Sequence, residues 1–184
     1  NITYIGRLEP HSKGIDLLIG AIYSLQSYFR DKGVTIDIYG PDNIIEWFDG
    51  LKNEIQARKL DDFVALHHAV TGEQKKNILN EADFFIQTSR NEGMPMGILE
   101  ALSYGVPCII TEGTSLGEIV RRYDAGWVAE TNIESIAKTI ETAICEACLL
   151  REKSDNAKHL ISDNFAWDVI SKEIIEHYKS ICYK

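Results

Sequence analysis

The feature that most constrains this chain is the alternation of short apolar runs with amphipathic stretches along most of its length. Parallel strands linked by helices produce this pattern, because the strands are buried on both faces and each connection carries a helix. The runs predict strands at Ile2–Leu8, Val34–Tyr39, Phe63–His67, Asp83–Gln87, Cys108–Thr111 and Trp127–Ala129. The amphipathic stretches predict helices at Gly14–Arg30, Ile44–Arg58, Gly72–Asn80, Gly97–Tyr104, Leu116–Arg122, Ile133–Cys148, Leu149–Ser162 and Trp167–Cys182. We therefore predict an α/β fold, a doubly wound parallel sheet of about six strands with helices on both faces and closing C-terminal helices.

Size and charge limit the classes of function. The chain has 184 residues, of which 45% are hydrophobic and 26% charged, as in one globular domain with a proper core. Its net charge of −9 argues against an extended nucleic-acid surface, which needs clustered Lys and Arg. Without a leader or an apolar run of about 20 residues, we expect a cytoplasmic protein with at most peripheral membrane association. Because the chain begins inside a predicted strand, without Met, we expect an excised domain.

The cysteines do not predict a metal site. Cys145 and Cys148 form a C-x-x-C pair inside a predicted helix, without the second ligand pair that a zinc site requires. We interpret them as neighbours on one packing face of that helix. Nothing in the spacing of the four cysteines indicates disulfides, which agrees with a reducing compartment.

The polar and glycine-bearing clusters follow the predicted strands. In a doubly wound sheet, ligands bind at the carboxyl ends of the strands. Gly6 and Arg7 end the first predicted strand and Lys13 opens the next helix, while Gly40 follows the second strand. The segments 67–70 and 89–97 follow the third and fourth strands. All these clusters are therefore expected on one rim of the sheet.

The segment 91–107, NEGMPMGILEALSYGVP, indicates what this rim binds. Pro95 suits the first turn of a helix, where its missing N–H costs nothing. The free N–H groups around Met94, Met96 and Gly97 would then face an anion, which the helix dipole also favours. Carboxylates flank this cradle at Glu92 and Glu100, so a ligand with a central phosphate and hydroxyls at both ends fits. A nucleotide-sugar is such a ligand, although the carboxylate spacing alone is not specific.

The same segment resembles the Glu-x7-Glu signature of the group 1 glycosyltransferases, which continues into E-A-x-x-x-G-x-P. The stretch Y-I-G-R-L-x(4)-K-G-I-D-x-L-I-x-A resembles the first βα unit of that family, and the closing F-A-W-D-V-I-S-K-E-I-I-E-H-Y resembles its terminal helix. These are retaining enzymes of the GT-B fold. The resemblance implies that residues 1–184 form the Rossmann-like, donor-binding C-terminal domain. The N-terminal acceptor domain of such an enzyme is absent from this chain.

The resemblance also implies roles for individual residues. Arg7 and Lys13 are expected to bind the donor diphosphate and, with Glu92, to act in catalysis. Glu92 would face hydroxyls of the transferred sugar, and Glu100 would accept hydrogen bonds from the ribose. The further donor-binding residues are expected to be Gly6, Gly40, His68, Val70, Gly93, Met94, Pro95, Met96 and Gly97. At the position where the family often has a glycine beside the base, this chain has Ala69, and we expect the main chain near it to lie along the base edge.

No metal or other cofactor is expected. The chain contains no Asp-x-Asp, the pair with which the other large glycosyltransferase fold holds a divalent metal on the diphosphate. The expected substrate is a nucleotide-diphosphate-sugar, and the expected partners are the N-terminal domain and a glycan or lipid-linked acceptor.

Two other functions remain open from the sequence. A sugar-nucleotide 2-epimerase of the same architecture would release a new sugar-nucleotide without an acceptor. A non-catalytic nucleotide-binding module would retain its function when Glu92 is replaced.

Overall fold

A parallel sheet organises the molecule. The computed structural model describes residues 1–41 and 44–182. In these residues the sheet has six strands in the order β3-β2-β1-β4-β5-β6, all pairs being parallel. The strands are β1 (Ile2–Ile5), β2 (Ile36–Gly40), β3 (Val64–His68), β4 (Phe84–Gln87), β5 (Cys108–Thr111) and β6 (Gly126–Ala129). The predicted fold class is confirmed. Of the predicted domain 1–184, residues 42, 43, 183 and 184 lie outside the described part.

Helices cover both faces of the sheet. They are α1 (Ile15–Ser24), α2 (Gln26–Lys32), α3 (Ile45–Ala57), α4 (Gly72–Glu81), α5 (Met96–Ser103), α6 (Gly117–Tyr123), α7 (Ile133–Cys145), α8 (Leu150–Asn164) and α9 (Trp167–Cys182). Apolar residues of α1, α3 and α7 form one core cluster with the sheet. Those of α4, α5, α6 and α8 form a second cluster on the opposite face. This two-sided burial explains why the strands read as continuous apolar runs.

Two predicted elements near the N-terminus are shorter than expected. The predicted helix Gly14–Arg30 is interrupted at Leu25, between α1 and α2. The hydroxyl of Ser24 donates to the carbonyl of Ala21 at 2.8 Å and so competes with the helical backbone bonds. The predicted strand Ile2–Leu8 ends at Ile5, and Arg7 lies exposed in the loop that follows.

The predicted helix Ile133–Cys148 is also too long. Helix α7 ends at Cys145, and a 3-10 turn, Ala147–Leu149, leads into α8. Cys145 and Cys148 are both exposed free thiols, so the predicted shared packing face is wrong. The reason is the change of helix type between them, which removes the i, i+3 α-helical relation.

The strand order places β1 beside β4 in the middle of the sheet, with Ile2 opposite Phe84 and Thr3 opposite Phe85. The chain leaves β1 for α1 on one face and leaves β4 for α5 on the other. This divergence is the topological switch point, where doubly wound sheets form a crevice for ligands.

Helix α9 differs from the others because none of its residues is buried. Trp167 is 83% exposed, and Ile174, Ile175, Tyr178 and Ile181 are also exposed. The predicted amphipathic helix is therefore present, but its apolar face is uncovered. Among the described residues, no helix is long and apolar enough to cross a membrane.

Candidate functional site

The loops that follow β1 and β4 are joined at the switch point. The N–H of Arg90 donates to the carbonyl of Ser12 at 2.9 Å, and the Thr88 hydroxyl donates to the carbonyl of Gly14 at 2.8 Å. The Arg90 guanidinium binds both carboxylate oxygens of Asp16, each at 2.7 Å. Bidentate pairs of this kind fix geometry as well as adding energy. The two loops therefore form one support for the residues that they carry.

The Arg90–Asp16 pair also sets the protonation of Asp16. Partial burial by itself would raise the pKa of this carboxyl. The hydrogen bonds and positive charge of Arg90 outweigh that effect, so the pKa of Asp16 lies below its usual value. Asp16 is thus held as the anion that Arg90 requires.

Gly14 serves the start of α1. Its φ is +65°, and a Cβ at this position would lie 1.9 Å from the carbonyl oxygen of Thr88. Any side chain there would push the loops apart. The close approach of the two loops therefore explains the glycine at this position.

A cavity of about 230 Å³ lies between the two loops. Its lining brings together most of the sequence-predicted site. The lining residues are Tyr4, Ile5, Gly6, Arg7, Lys13, Gln87, Glu92, Met94, Pro95, Met96 and Gly97.

Glu92 is the most constrained side chain of this cavity. Its Oε1 accepts from the ammonium group of Lys13 and, at 3.1 Å, from the amide nitrogen of Gln87. The side chains of Lys13 and Glu92 are only 13% and 15% exposed. The main chain of Glu92 is held as well, because its N–H donates to Gly113 at 2.8 Å and its carbonyl accepts from the Ser115 hydroxyl at 2.6 Å. Its Oε2 has no partner among the described residues.

Arg7 reaches the same cavity without a fixed partner. Its guanidinium forms no ion pair or hydrogen bond within the described residues, whereas its carbonyl accepts from the Tyr4 hydroxyl at 2.7 Å. Burial raises the pKa of Tyr4, and the nearby Glu92 carboxylate raises it further, so Tyr4 remains a neutral donor. Tyr4 therefore anchors the Arg7 backbone and leaves its charge available. Gly6 leaves room for this ring, since a Cβ there would lie 2.9 Å from the Tyr4 oxygen.

The start of α5 provides only part of the predicted anion cradle. Pro95 is the N-cap and α5 begins at Met96. The Met96 N–H, predicted to be free, donates to the Met94 carbonyl at 3.0 Å, because the chain makes a tight turn before the helix. The N–H groups of Gly93, Met94 and Gly97 have no acceptor among the described residues. These are the groups that an anion could use.

Glu100 lies outside the cavity, on the first turns of α5. It is 38% exposed and pairs with the ammonium group of Lys75 on α4. It lines a second, mainly apolar groove of about 530 Å³. The other residues of this groove are Met94, Met96, Leu99, Ile161, Phe165, Trp167 and Ile170. Met94 and Met96 are common to both openings, so the two carboxylates lie on adjoining surfaces.

Besides Glu100, four predicted donor-binding residues do not line the cavity. A Cβ on Gly40 would lie 2.4 Å from Cγ of Leu8, so this glycine is explained by core packing. The His68 ring stacks on Phe48 at 5.1 Å, and Val70 is buried. Gly93 is exposed and lies in the chain between Glu92 and Met94, which do line the cavity. Contact of Gly40, His68, Val70 or Gly93 with a donor therefore stays a prediction.

Sequence reasoning missed three polar residues of these surfaces. Gln87 gave a usable signal, because it is the one polar residue in the apolar β4 segment FFIQ and ends it on the ligand rim. Tyr4 gave no such signal, because its place in the apolar β1 segment ITYI indicates a core residue. Lys75 was hidden among the charged residues of α4 and was identified only by its contact with Glu100. In the described part of the chain, no cluster of three His, Cys, Asp or Glu could hold a metal ion.

Comparison with known proteins finds similarity to glycosyltransferases. The family model described as "Glycosyl transferases group 1" matches residues 1–160. An uncharacterized glycosyltransferase of Methanocaldococcus jannaschii is 27% identical over 179 residues, which cover 97% of this chain and 44% of that protein. The putative colanic acid biosynthesis glycosyltransferase WcaL of Escherichia coli K12 is 25% identical over 181 residues, which cover 94% of this chain and 43% of WcaL.

A solved structure has the same fold. Anabaena HepE, crystallised with UDP and glucose, superposes with a TM-score of 0.79 at 20% identity, covering 97% of this chain and 48% of HepE. The chain thus spans less than half of each of these three proteins.

Proposed function

The chain belongs to the group 1 glycosyltransferase family, and on that premise we propose that it is the donor-binding half of a retaining enzyme that uses a nucleotide-diphosphate-sugar. The observation that carries this proposal is the cavity at the β1–β4 switch point, lined by Arg7, Lys13 and Glu92. Two cations and the free N–H groups before α5 suit a diphosphate. A carboxylate beside them suits sugar hydroxyls, which are hydrogen-bond donors.

The cations would act on the leaving group. When the glycosidic bond breaks, negative charge accumulates on the departing nucleoside diphosphate. Arg7 and Lys13, whose charged groups line the cavity, would stabilise this charge electrostatically. We propose that these side chains do so without a bound metal.

The carboxylates would act at the two ends of the donor. Glu92 would accept hydrogen bonds from the transferred sugar and stabilise positive charge that develops on it. Glu100, which pairs with Lys75, would accept hydrogen bonds from the ribose hydroxyls. The presence of UDP and glucose in the HepE structure supports a ligand of this composition.

The rest of the protein would complete the site. A cavity of about 230 Å³ is smaller than the roughly 300–1,000 Å³ of typical ligand sites, so it would hold only part of the donor. We propose that an N-terminal half forms the opposite wall and binds a glycan or lipid-linked acceptor. The name of the WcaL relative, a colanic acid biosynthesis enzyme, supports polysaccharide assembly as the setting.

Binding measurements on the full-length protein test the donor site. Calorimetry with UDP, GDP, ADP, UDP-glucose and GDP-mannose, each with and without EDTA, should identify one preferred nucleotide whose affinity EDTA does not change. Lys13→Met should weaken that affinity roughly 10- to 100-fold, as expected for a charge-assisted contact. Lys138→Met on α7, on the other side of the sheet from α5, is the matched control and should bind normally. Equal affinities for the two variants would contradict the proposal.

Product analysis tests the reaction. With the preferred donor and a glycan or lipid-linked acceptor, the product should carry the same anomeric configuration as the donor. Release of an isomerised sugar-nucleotide without acceptor would identify an epimerase instead.

A further inference from the structure

Gln87 is the buried polar residue of the cavity that the proposed mechanism does not use. It is the last residue of β4, is 5% exposed and lines the cavity. Its amide nitrogen donates to Oε1 of Glu92 and to the hydroxyl oxygen of Ser89, each at 3.1 Å. A carboxylate can only accept hydrogen bonds, so the nitrogen of this amide must face Glu92. The orientation of Gln87 therefore follows from its neighbour.

This orientation turns the amide oxygen of Gln87 the other way. The oxygen lies 3.5 Å from the position that a Cβ on Gly97 would take, so it is beside the start of α5. None of the described residues donates a hydrogen bond to it. A nearly buried side chain thus presents an unused acceptor to the cavity that Glu92 also lines.

Two unused acceptors in one cavity, the Gln87 amide oxygen and Oε2 of Glu92, restrict the ligand that can contact both. Phosphate oxygens are also acceptors and would be repelled, whereas hydroxyl groups can donate to both. Phosphates instead need the donors of the cavity, which are Arg7, Lys13 and the free N–H groups at the start of α5. The part of the donor that faces Gln87 must therefore carry hydroxyls.

We propose that Gln87 selects and orients the transferred sugar. Its amide nitrogen, together with Lys13, holds Oε1 of Glu92 and leaves Oε2 for one sugar hydroxyl. Its amide oxygen accepts a hydrogen bond from a second hydroxyl of the same sugar. This role rests on the proposed donor site and adds to it the residue that recognises the sugar.

The test compares a sugar-nucleotide with its nucleoside diphosphate in the full-length protein. UDP-glucose against UDP, or GDP-mannose against GDP, is used according to which nucleotide binds. Gln87→Leu should weaken binding of the sugar-nucleotide about tenfold, as expected for loss of a hydrogen bond to a sugar. The affinity for the nucleoside diphosphate should change by less than about twofold. An equal change for both ligands, or no change for either, would overturn the proposal.

A double-mutant cycle separates this proposal from the donor site itself. Because Gln87 acts partly through Glu92, the effects of Gln87→Leu and Glu92→Gln on sugar-nucleotide affinity should be less than additive. If Glu92→Gln weakens binding and Gln87→Leu does not, the inference about Gln87 fails while the donor site stands. If neither Glu92→Gln nor Lys13→Met changes binding, the donor site fails as well.

Two further variants control for folding. Gln87→Glu keeps the size of the side chain but places a second carboxylate against Glu92, so it should lose sugar-nucleotide affinity at least as strongly as Gln87→Leu. Thr3→Val removes a buried hydroxyl of β1 that has no hydrogen-bond partner among the described residues, and should leave both affinities unchanged. If only Gln87→Leu fails to fold, the sugar-nucleotide affinity of Gln87→Glu tests the proposal instead. Normal sugar-nucleotide binding by Gln87→Glu would overturn the proposal.

Discussion

Glu92 and Glu100 are eight positions apart in one motif, yet their surroundings differ sharply. Glu92 is 15% exposed, its Oε1 is held by Lys13 and Gln87, and both of its backbone groups are hydrogen-bonded to the 113–115 segment. Glu100 is 38% exposed and has one side-chain partner, Lys75. The first carboxylate is fixed before any ligand arrives, whereas the second can still move.

The difference indicates a division of work. A group that stabilises transition-state charge is most effective when it is already oriented in a water-poor site. A group that only binds the remote part of a substrate can be ordered during binding, since its interaction is the same before and during the reaction. We therefore expect Glu92 to affect mainly turnover and Glu100 mainly donor affinity.

The largest effect should come from Glu92→Gln. This change keeps the shape but removes the charge, and it should lower turnover roughly 100- to 1,000-fold, the range for loss of one preorganised electrostatic contact. Steady-state kinetics of the full-length enzyme measure it, with Glu118→Gln on the exposed face of α6 as control. A change in donor KM alone would remove the distinction between the two carboxylates.

The next effect should come from Arg7→Ala. The guanidinium has no fixed partner in the described structure, so its charge is available to the leaving diphosphate. We expect turnover to fall by roughly one to two orders of magnitude, the loss of about 1.4–2.7 kcal/mol of transition-state stabilisation. Arg122→Ala, at an exposed position of α6, serves as the control. Near-normal turnover of Arg7→Ala would exclude this residue from the site of bond cleavage.

A smaller effect is expected at the second carboxylate. Glu100→Gln should raise the donor KM about tenfold with little change in kcat, because a charged hydrogen bond to the ribose becomes a neutral one. Lys75→Met should change KM by less than about fivefold, since its pair with Glu100 is partly exposed. Donor-dependent initial rates distinguish the two parameters. A fall in kcat with unchanged KM for Glu100→Gln would contradict the comparison.

The smallest effect concerns the support of the Glu92 loop. The pKa of Asp16 is lowered in the folded state, so its ion pair with Arg90 contributes stability above the ordinary carboxyl pKa of about 3.9. Asp16→Asn should lower the free energy of unfolding by about 1 kcal/mol or less at pH 7, because the pair is partly exposed. The difference should shrink as the pH falls below about 4, where the wild-type carboxyl becomes protonated. Urea unfolding at both pH values measures this, and a difference independent of pH would exclude the ion pair as its cause.

Several features could be predicted because they depend on local sequence. The alternation of runs predicted the sheet, and Pro95 predicted the start of α5 to within a residue. The break at Leu25 and the end of α7 were missed, because Ser24 and the 3-10 turn act through hydrogen bonds that the apolar pattern does not record. Arg7 and Lys13 could be placed on the same rim as Glu92 only because parallel strands share one carboxyl edge.

The sequence by itself determined the alternation of strands and helices, the rim on which the polar residues lie and the presence of two acidic positions around a helix start. The tertiary structure decided which of these residues touch. It placed β1 next to β4 and brought the side chains of Lys13 and Gln87 into contact with Glu92. It also paired Glu100 with Lys75 and directed the Met96 N–H to the Met94 carbonyl. The physical reason is that periodicity reports which face a residue occupies, whereas partners depend on strand order and loop hydrogen bonds between segments up to 79 positions apart.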